Sequence, residues 1–164
     1  MPKDLSKRAK EIIEQIHYVT IASVDEAGMP WNAPVFAVYD DDYNFYWGTY
    51  KDSQKARNIA HQPNVFLVIY DSTVPAGAGE GVYIKAKAEQ ITDVDELRHV
   101  LALLTSRHDV PYWDFADVNN AGPIYLYKAT PEQAWMNDEG QHDGHYIDTR
   151  TEIQLGPTRL TDEK

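Results

Sequence analysis

The chain has 164 residues, of which 43% are hydrophobic, so residues 1–164 can close one sizeable core and we expect a single domain. Its formal net charge of −11 repels nucleic-acid phosphates and anionic lipid surfaces, so neither nucleic acid nor membrane is an expected partner. Cysteine is absent, which excludes disulfides, thiolate catalysis and cysteine-ligated metal centres. No apolar stretch reaches the ~20 residues of a membrane span, and the expected location is cytoplasmic.

The N-terminal part of the chain predicts one helix and then several strands. Asp4 is the expected cap of a helix over residues 5–16, because apolar residues recur there at helical spacing. The pattern then changes to the β-branched runs typical of strands. Three strands are predicted in this part, over residues 18–24, 31–39 and 43–49. With turns at Gly28 and at the aspartate run 40–42, we expect these strands to form a meander.

The middle of the chain alternates between helices and strands. A short helix over residues 53–61 must end before Pro63, because the residue before a proline disfavours the helical conformation. Residues 64–70 are apolar on both faces, which indicates a strand in the middle of a sheet. Residues 81–89 alternate as a further strand, and residues 93–106 carry the apolar stripe of a helix.

The last part of the chain predicts one long strand and a loop. Residues 124–136 indicate a strand bent at Pro131, whereas the glycines and histidines of residues 137–148 favour a loop before a last strand. A frayed tail is expected over residues 157–164. Six or seven antiparallel strands with inserted helices predict a mainly β protein built on a small barrel.

A cluster of hydrogen-bond donors opens the second predicted helix. Its basic and hydroxylic members are Lys51, Ser53, Lys55 and Arg57. A helix N-terminus offers unpaired N–H groups and the positive end of the helix dipole, so a hydroxyl and a lysine there form a plausible phosphate cradle. An ordinary capped and solvated helix start is the alternative. On the preceding strand, Gly48 would let a flat ring approach the backbone, although barrel curvature also favours small residues.

The order of elements over roughly residues 5–136 resembles the pyridoxamine 5′-phosphate oxidase-like family of FMN-binding split β-barrels. The features that carry the resemblance are a Gly-x-Pro strand, a strand that ends in Thr49, a Ser53-x-Lys55 motif and an apolar strand after it. The resemblance implies an antiparallel six- to seven-stranded split barrel with inserted helices. It also implies a homodimer that holds FMN in the cleft between its two subunits.

The resemblance assigns eight positions of this chain to the cofactor. They are Ala33, Pro34, Val35, Thr49, Ser53, Gln54, Lys55 and Trp135. Within this set, Ser53 and Lys55 resemble phosphate ligands, Thr49 resembles a position near the ribityl chain or ring, and Trp135 resembles a tryptophan beside the cofactor. Arg150 resembles an arginine further along the family's sequence.

The chain departs from the oxidase proper at several positions. The oxidase has an arginine at the place of Ala33, a lysine at Val38 and a second phosphate-binding arginine at Gln54. Its substrate-binding Arg-x-His corresponds to residues 146–148, which are Tyr-Ile-Asp here. We therefore expect no activity on pyridoxamine phosphate. The closer resemblance is to shorter members often called general stress proteins.

Two classes of function follow from the resemblance. The first is an FMN-dependent oxidoreductase with an unassigned small-molecule substrate, for which the sequence identifies no acid–base pair and therefore no catalytic side chain. The second is a non-catalytic, stress-related protein that binds flavin, or the deazaflavin F420 or haem, in the same cleft. For the segment from His142 to His145 we expect a solvated loop and no metal site, because the spacing fixes no third ligand.

Overall fold

The computed structural model describes residues 3–107 and 113–156, and within them it describes no side chains for residues 139–142 and 146–148. The expected frayed tail lies outside the described residues. The side chain of His142 and those of the stretch that replaces the Arg-x-His motif lie outside them too.

Helices begin where the sequence placed their caps. The described residues form four helices, α1 Leu5–Gln15, α2 Gln54–His61, α3 Val94–Ser106 and α4 Phe115–Val118. The first three each follow a side chain that accepts a hydrogen bond from the backbone N–H three residues further on; these caps are Asp4, Ser53 and Asp93. Each cap satisfies a donor that the first helical turn leaves unpaired. The three predicted helix starts are therefore confirmed.

All strands of the described residues join one antiparallel sheet. They are β1 Tyr18–Val24, β2 Pro30–Phe36, β3 Val38–Tyr39, β4 Phe45–Tyr50, β5 Asn64–Tyr70, β6 Gly81–Gln90, β7 Ile124–His142 and β8 His145–Ile153. The eight-stranded sheet has the order β2-β1-β5-β6-β7-β4-β3, and β8 pairs with β7. The apolar strand β5 lies between β1 and β6, as predicted. The sheet curls into a split β-barrel, which confirms the predicted fold class.

The predicted three-strand meander does not form, because the strand expected over residues 31–39 is interrupted at Ala37. The N–H of Ala37 donates to the carbonyl of His17 over 3.0 Å, and the chain divides there into β2 and β3. β2 pairs with β1, whereas β3 pairs with β4, and β4 pairs with β7. The interruption raises the number of strands from the predicted six or seven to eight. β4 lies next to β7, from the last part of the chain.

The loop prediction for residues 137–148 was wrong, because these residues continue β7 and begin β8. The two strands are joined through Asp143 and Gly144, whose φ angles are 51° and 77°. Positive φ at both central residues is the requirement of a type I′ hairpin turn, and Asp-Gly is a preferred pair for it. The dipeptide was therefore the correct signal, and the polar composition around it was misleading.

The core has two parts, which lie on opposite faces of β4. Phe45 and Trp47 face the barrel interior, while Tyr46 belongs to a second cluster that packs beneath α3. Leu104 and Ile124 of this second cluster also line the cleft described below. Within the described residues, no helix has the length and apolar character needed to cross a bilayer.

Candidate functional site

A cleft of about 290 Å³ opens among β2, β4, α2 and α3. Four residues of the predicted set line it, namely Pro34, Val35, Thr49 and Lys55. The other lining residues are Tyr18, Phe36, Gly48, Tyr50, Leu104, Trp113 and Ile124. The lining is mostly apolar and aromatic with a few polar groups at one end, which is the usual make-up of a small-molecule site.

The polar end of the cleft is built by the connection from β4 to α2. The hydroxyl of Thr49 donates to Ser53 Oγ over 3.2 Å, and Ser53 Oγ accepts a second hydrogen bond from the N–H of Ala56 over 3.3 Å. Thr49 is only 7% exposed, so the barrel core holds this pair of hydroxyls in place. The first N–H groups of α2 lack intrahelical acceptors, and they follow these hydroxyls directly in the chain. An anion is favoured at such a position.

Lys55 is the single cation that lines the cleft among the described residues. Its side chain is half-buried, and burial lowers the pKa of its ammonium. Over residues 3–107 and 113–156, its Nζ forms neither a hydrogen bond nor an ion pair. A partly buried charge without a partner is unfavourable, so an anionic group placed beside Lys55 would relieve that cost.

Gln54 and Arg57 are directed away from the cleft, although they lie close to Lys55 in sequence. The side-chain amide of Gln54 donates to Asn58 Oδ1 over 2.7 Å, and its carbonyl oxygen accepts from Arg57 Nη2 over 2.7 Å. Asn58 in turn donates to Ser23 Oγ over 3.0 Å in the barrel core. These contacts tie α2 to β1. Gln54 is thereby a structural neighbour of the cleft and does not line it.

Trp135 does not lie at the cleft within one chain. It stacks on Phe66, with ring centroids 6.1 Å apart and planes inclined by 17°. In the sheet, β1, β5 and β6 separate the Trp135 pairing site from β2. Ala33 pairs with Ile21 and adjoins Pro34, but it too is not among the lining residues.

Trp135 belongs to a surface that we term the outer face of the sheet. Cross-strand pairing places Thr20, Val68, Tyr83 and Trp135 in one row across four strands, all on this face. Arg150 joins the face from β8, where its guanidinium lies 3.9 Å from the ring centroid of Tyr83. Of the eight predicted site residues, four line the cleft and Trp135 lies on the outer face, whereas Ala33, Ser53 and Gln54 are not among the lining residues.

Trp113 is the main lining residue that sequence reasoning did not assign to the site. Its indole lies against Gly48, where an added Cβ would be 2.3 Å from Trp113 Cζ3. The sequence offers Gly48 as a place where a flat ring can approach the backbone, and in the structure the ring that lies there is the indole of Trp113. No local pattern indicates this contact, because the aromatic residues around position 113 are equally compatible with the core and with a dimer surface.

Among the described residues, the acidic and histidine-rich segments contain no cluster of side chains that could bind a metal ion. Asp40 accepts hydrogen bonds from Asn44 Nδ2 at 2.9 Å and from the Tyr46 hydroxyl at 2.8 Å. Burial raises the pKa of Asp40, but the hydrogen bonds outweigh burial and hold it below its usual value. Asp40 is therefore a turn residue, as the sequence predicts. Among the described residues, no group of three or more His, Asp or Glu side chains could hold a metal ion.

Comparison with known proteins identifies relatives at the level of family and fold. Residues 5–138 match the family model described as pyridoxamine 5′-phosphate oxidase. No curated protein matches the chain in sequence. Among solved structures, the haem storage protein HutZ from Vibrio cholerae has a TM-score of 0.66 at 20% identity, and the match covers 87% of this chain and 100% of HutZ.

Two further solved structures extend the comparison. General stress protein 26 from Bacillus anthracis str. Sterne has a TM-score of 0.59 at 16% identity, with 90% of this chain and 100% of that chain covered. An F420 reductase has a TM-score of 0.59 at 18% identity, with 82% and 98% covered. At these identities the similarity shows a shared fold.

Proposed function

Because the chain belongs to the pyridoxamine 5′-phosphate oxidase family, we propose that it binds FMN in the cleft and acts as a cytoplasmic, flavin-dependent oxidoreductase on a small-molecule substrate. The cofactor phosphate is proposed to lie at the start of α2, where Lys55 and the hydroxyls of Thr49 and Ser53 are gathered.

The observation that carries this proposal is the uncompensated charge of Lys55. Its pKa is lowered by burial, and no carboxylate of the described residues pairs with it, although the chain carries a net charge of −11. A phosphate would supply the missing anion, and charge-assisted hydrogen bonds to phosphate are the strong kind. Gly48 adds a place where a planar ring can approach the backbone of β4. The donor set and the flat surface at Gly48, which the indole of Trp113 covers in the structure, together fit a phosphorylated, planar cofactor.

FMN, when bound, would supply the hydride or electron transfer itself, since the lining offers little acid–base chemistry. Among the described lining residues there is no carboxylate and no imidazole. The chain's own contribution is therefore to bind the phosphate, to position the ring against apolar walls and to exclude water. No catalytic side chain is assigned.

We include a homodimer in the proposal because the outer face carries large apolar groups that one chain leaves exposed. Tyr18 is 62% exposed and Tyr70 is 48% exposed, and both flank the row that contains Trp135. Contiguous apolar surface of this kind is typical of a protein interface. A partner subunit packed there would also explain how Trp135 could lie near a cofactor, since it cannot reach the cleft of its own chain. Light scattering should give the mass of a dimer at micromolar concentration, and a monomer would contradict this part.

An absorbance spectrum of the purified protein, followed by titration with FMN, tests the cofactor. The two visible bands of oxidised flavin are expected. The HutZ and F420 reductase similarities make haem and F420 the alternatives, and a Soret band or a deazaflavin spectrum would replace FMN by one of them. Flavin that binds but is not reduced by NAD(P)H or other donors would favour the non-catalytic alternative.

We also propose that pyridoxamine phosphate is not the substrate. Val38, where the resemblance puts a lysine in the oxidase, is 1% exposed and packs in the cluster beneath α3. It therefore offers no donor to a substrate phosphate. Formation of pyridoxal phosphate at enzymatic rates would contradict this proposal.

A further inference from the structure

The indole of Trp113 covers the only stretch of β4 that has no side chain. A Cβ built on Gly48 would lie 2.3 Å from Cζ3 and 2.5 Å from Cη2 of Trp113, and 3.1 Å from Leu126 Cδ2. The six-membered ring of the indole therefore rests on the strand backbone itself. Gly48 and Trp113 both line the cleft, and Thr49 and Lys55 lie at its polar end. A flat ring already occupies the place where a ligand ring would approach.

Trp113 reaches the cleft from a well-anchored part of the chain. Asp114, the next residue, caps α4 in a reciprocal capping box with Asp117. The guanidinium of Arg98 on α3 lies 3.8 Å from the ring centroid of Phe115, which fixes α4 against α3. Because the backbone beside Trp113 is held in this way, its indole can leave Gly48 by side-chain rotation while α4 stays in place.

The size of the cleft favours displacement of the indole. With Trp113 against Gly48, the volume is about 290 Å³, at the lower end of the ~300–1,000 Å³ that small-molecule sites usually occupy. Apolar walls stand on two sides, from Phe36 on β2 and Leu104 on α3. A tricyclic ring with a phosphate tail at Lys55 gains both volume and the flat surface of β4 if the indole moves away.

We propose that Trp113 is a specificity-determining residue that a planar ligand displaces: the ligand ring replaces the indole on Gly48. This inference rests on the proposed function, in which the phosphate of the same ligand lies at Lys55. Displacement costs the contacts of the indole, and only a ligand with a flat ring of its own restores them. Phosphate esters without a planar ring bind at the polar end, leave Trp113 in place and gain nothing from the apolar part. Trp113 thus discriminates among planar ligands, because only a ring large enough to replace the contacts of the indole on Gly48 offsets the cost of displacement.

The test compares two ligands with four proteins. FMN binding is followed by flavin fluorescence, and ribose 5-phosphate is measured as a competitor, in wild type, Trp113→Ala, Trp113→Phe and Trp31→Ala. An aromatic pair is worth about a 2- to 10-fold change in a binding constant, and we take the contact of the indole with Gly48 as comparable, so Trp113→Ala should bind FMN about 2- to 10-fold more tightly. Trp113→Phe should fall between it and wild type. The dissociation constant of ribose 5-phosphate, calculated from the competition with the FMN affinity of each variant taken into account, should be the same for all four proteins. Trp31 is 48% exposed and does not line the cleft, so its variant is the matched control.

The outcomes separate the inference from the proposed function. If wild type binds FMN and Trp113→Ala binds it equally or more weakly, the displacement inference is overturned while the cofactor assignment stands. If neither protein binds FMN, both are overturned. A second variant, Gly48→Ala, tests without any ligand whether the indole of Trp113 lies on Gly48. Its new Cβ must push the indole outward, so acrylamide should quench the tryptophan fluorescence of this variant more than that of wild type. Unchanged quenching would also count against the inference.

Discussion

The starts of α1 and α2 are built alike, but their cations have opposite surroundings. Each helix follows a side-chain cap, Asp4 or Ser53, and each carries a cation within its first turns. Arg8 of α1 donates to Glu80 at 3.0 and 3.1 Å and to Glu11 at 3.0 Å. Lys55 of α2 has no such partner among the described residues. Hydrogen bonds that Arg8 donates to the two carboxylates raise the pKa of Arg8, whereas burial alone lowers the pKa of Lys55.

The comparison suggests a rule for cations: the surroundings of the charge, more than its presence, make it a candidate functional group. A protein with 26 acidic residues has carboxylates available to pair with any surface lysine. The arginine that ties α1 to the loop before β6 is paired twice, as expected of a structural contact. The half-buried lysine that lines the cleft has no such partner among the described residues, and the proposed phosphate would supply one. Perturbed groups in a cleft are candidates for function on these grounds.

Lys55→Ala gives the largest expected effect. Loss of one charge-assisted hydrogen bond to phosphate, worth roughly 1.5–3 kcal/mol, should weaken FMN binding by about 10- to 150-fold. The free energy of unfolding without ligand should change by no more than about 0.5 kcal/mol, because the charge has no partner to lose. Flavin fluorescence titration and thermal unfolding measure the two quantities. Lys51→Ala is the matched control, since Lys51 is exposed and does not line the cleft. Equal affinity of wild type and Lys55→Ala would remove the phosphate from this position.

Removal of the helix caps Ser53 and Asp4 gives the second-largest expected effect, and it separates a loss of helix stability from a loss of ligand binding. Ser53→Ala and Asp4→Ala should each lower the free energy of unfolding by about 1 kcal/mol, because each leaves a helix N–H unpaired. Only Ser53→Ala should also weaken FMN binding, by several-fold, since its hydroxyl holds Thr49 at the polar end. Chemical denaturation and FMN titration of both variants check this. A similar loss of FMN affinity in Asp4→Ala would show that the effect is one of general stability.

Glu80→Gln gives the smallest expected effect, and it tests only the ion pair between Arg8 of α1 and the loop before β6. Hydrogen bonds from Arg8 and Lys3 hold the pKa of Glu80 below its usual value. The folded state therefore gains stability from the carboxylate above its usual pKa, and this gain disappears as the pH falls through the lowered pKa. At neutral pH we expect Glu80→Gln to lower the free energy of unfolding by about 0.5–1 kcal/mol. The difference from wild type should vanish in acid, and FMN binding should not change. A difference that persists at low pH would assign the effect to packing.

The sequence predicted what is decided locally. The caps Asp4 and Ser53 follow from one side chain and the next turn of helix, so their positions were correct. At the start of α3 the sequence left Thr92 and Asp93 as alternatives, and the cap is Asp93. The hairpin turn at Asp143 and Gly144 is equally local, and its signal was present but was outweighed by polar neighbours. The interruption at Ala37 was not predictable from strand alternation, because it depends on the hydrogen bond that the Ala37 N–H donates to the carbonyl of His17, just before β1.

In the candidate site, too, the contacts between residues that are close in sequence were predictable, whereas the long-range contacts were not. Thr49 and Lys55 meet in the cleft because the connection that joins them is short. Trp113 arrives at Gly48 only through the packing of α4 on α3, which no pattern near position 113 encodes. For Trp135, strand alternation indicates a face of the sheet but does not show that Phe66 is its stacking partner. Tertiary packing therefore decides the parts that the sequence left open.

The pairing of β4 with β7 also has a consequence for how the protein folds. It joins Phe45–Tyr50, in the first third of the chain, to Ile124–Ala129, in the last third. Contacts between such distant segments require a long loop to close, and they slow folding. During synthesis at ~5–20 residues per second, β4 remains without this neighbour until β7 has been made and released. The wall that carries Gly48 and Thr49 is completed only once β7 is present, so a small molecule that binds the cleft acts after that step and cannot guide the earlier steps of folding.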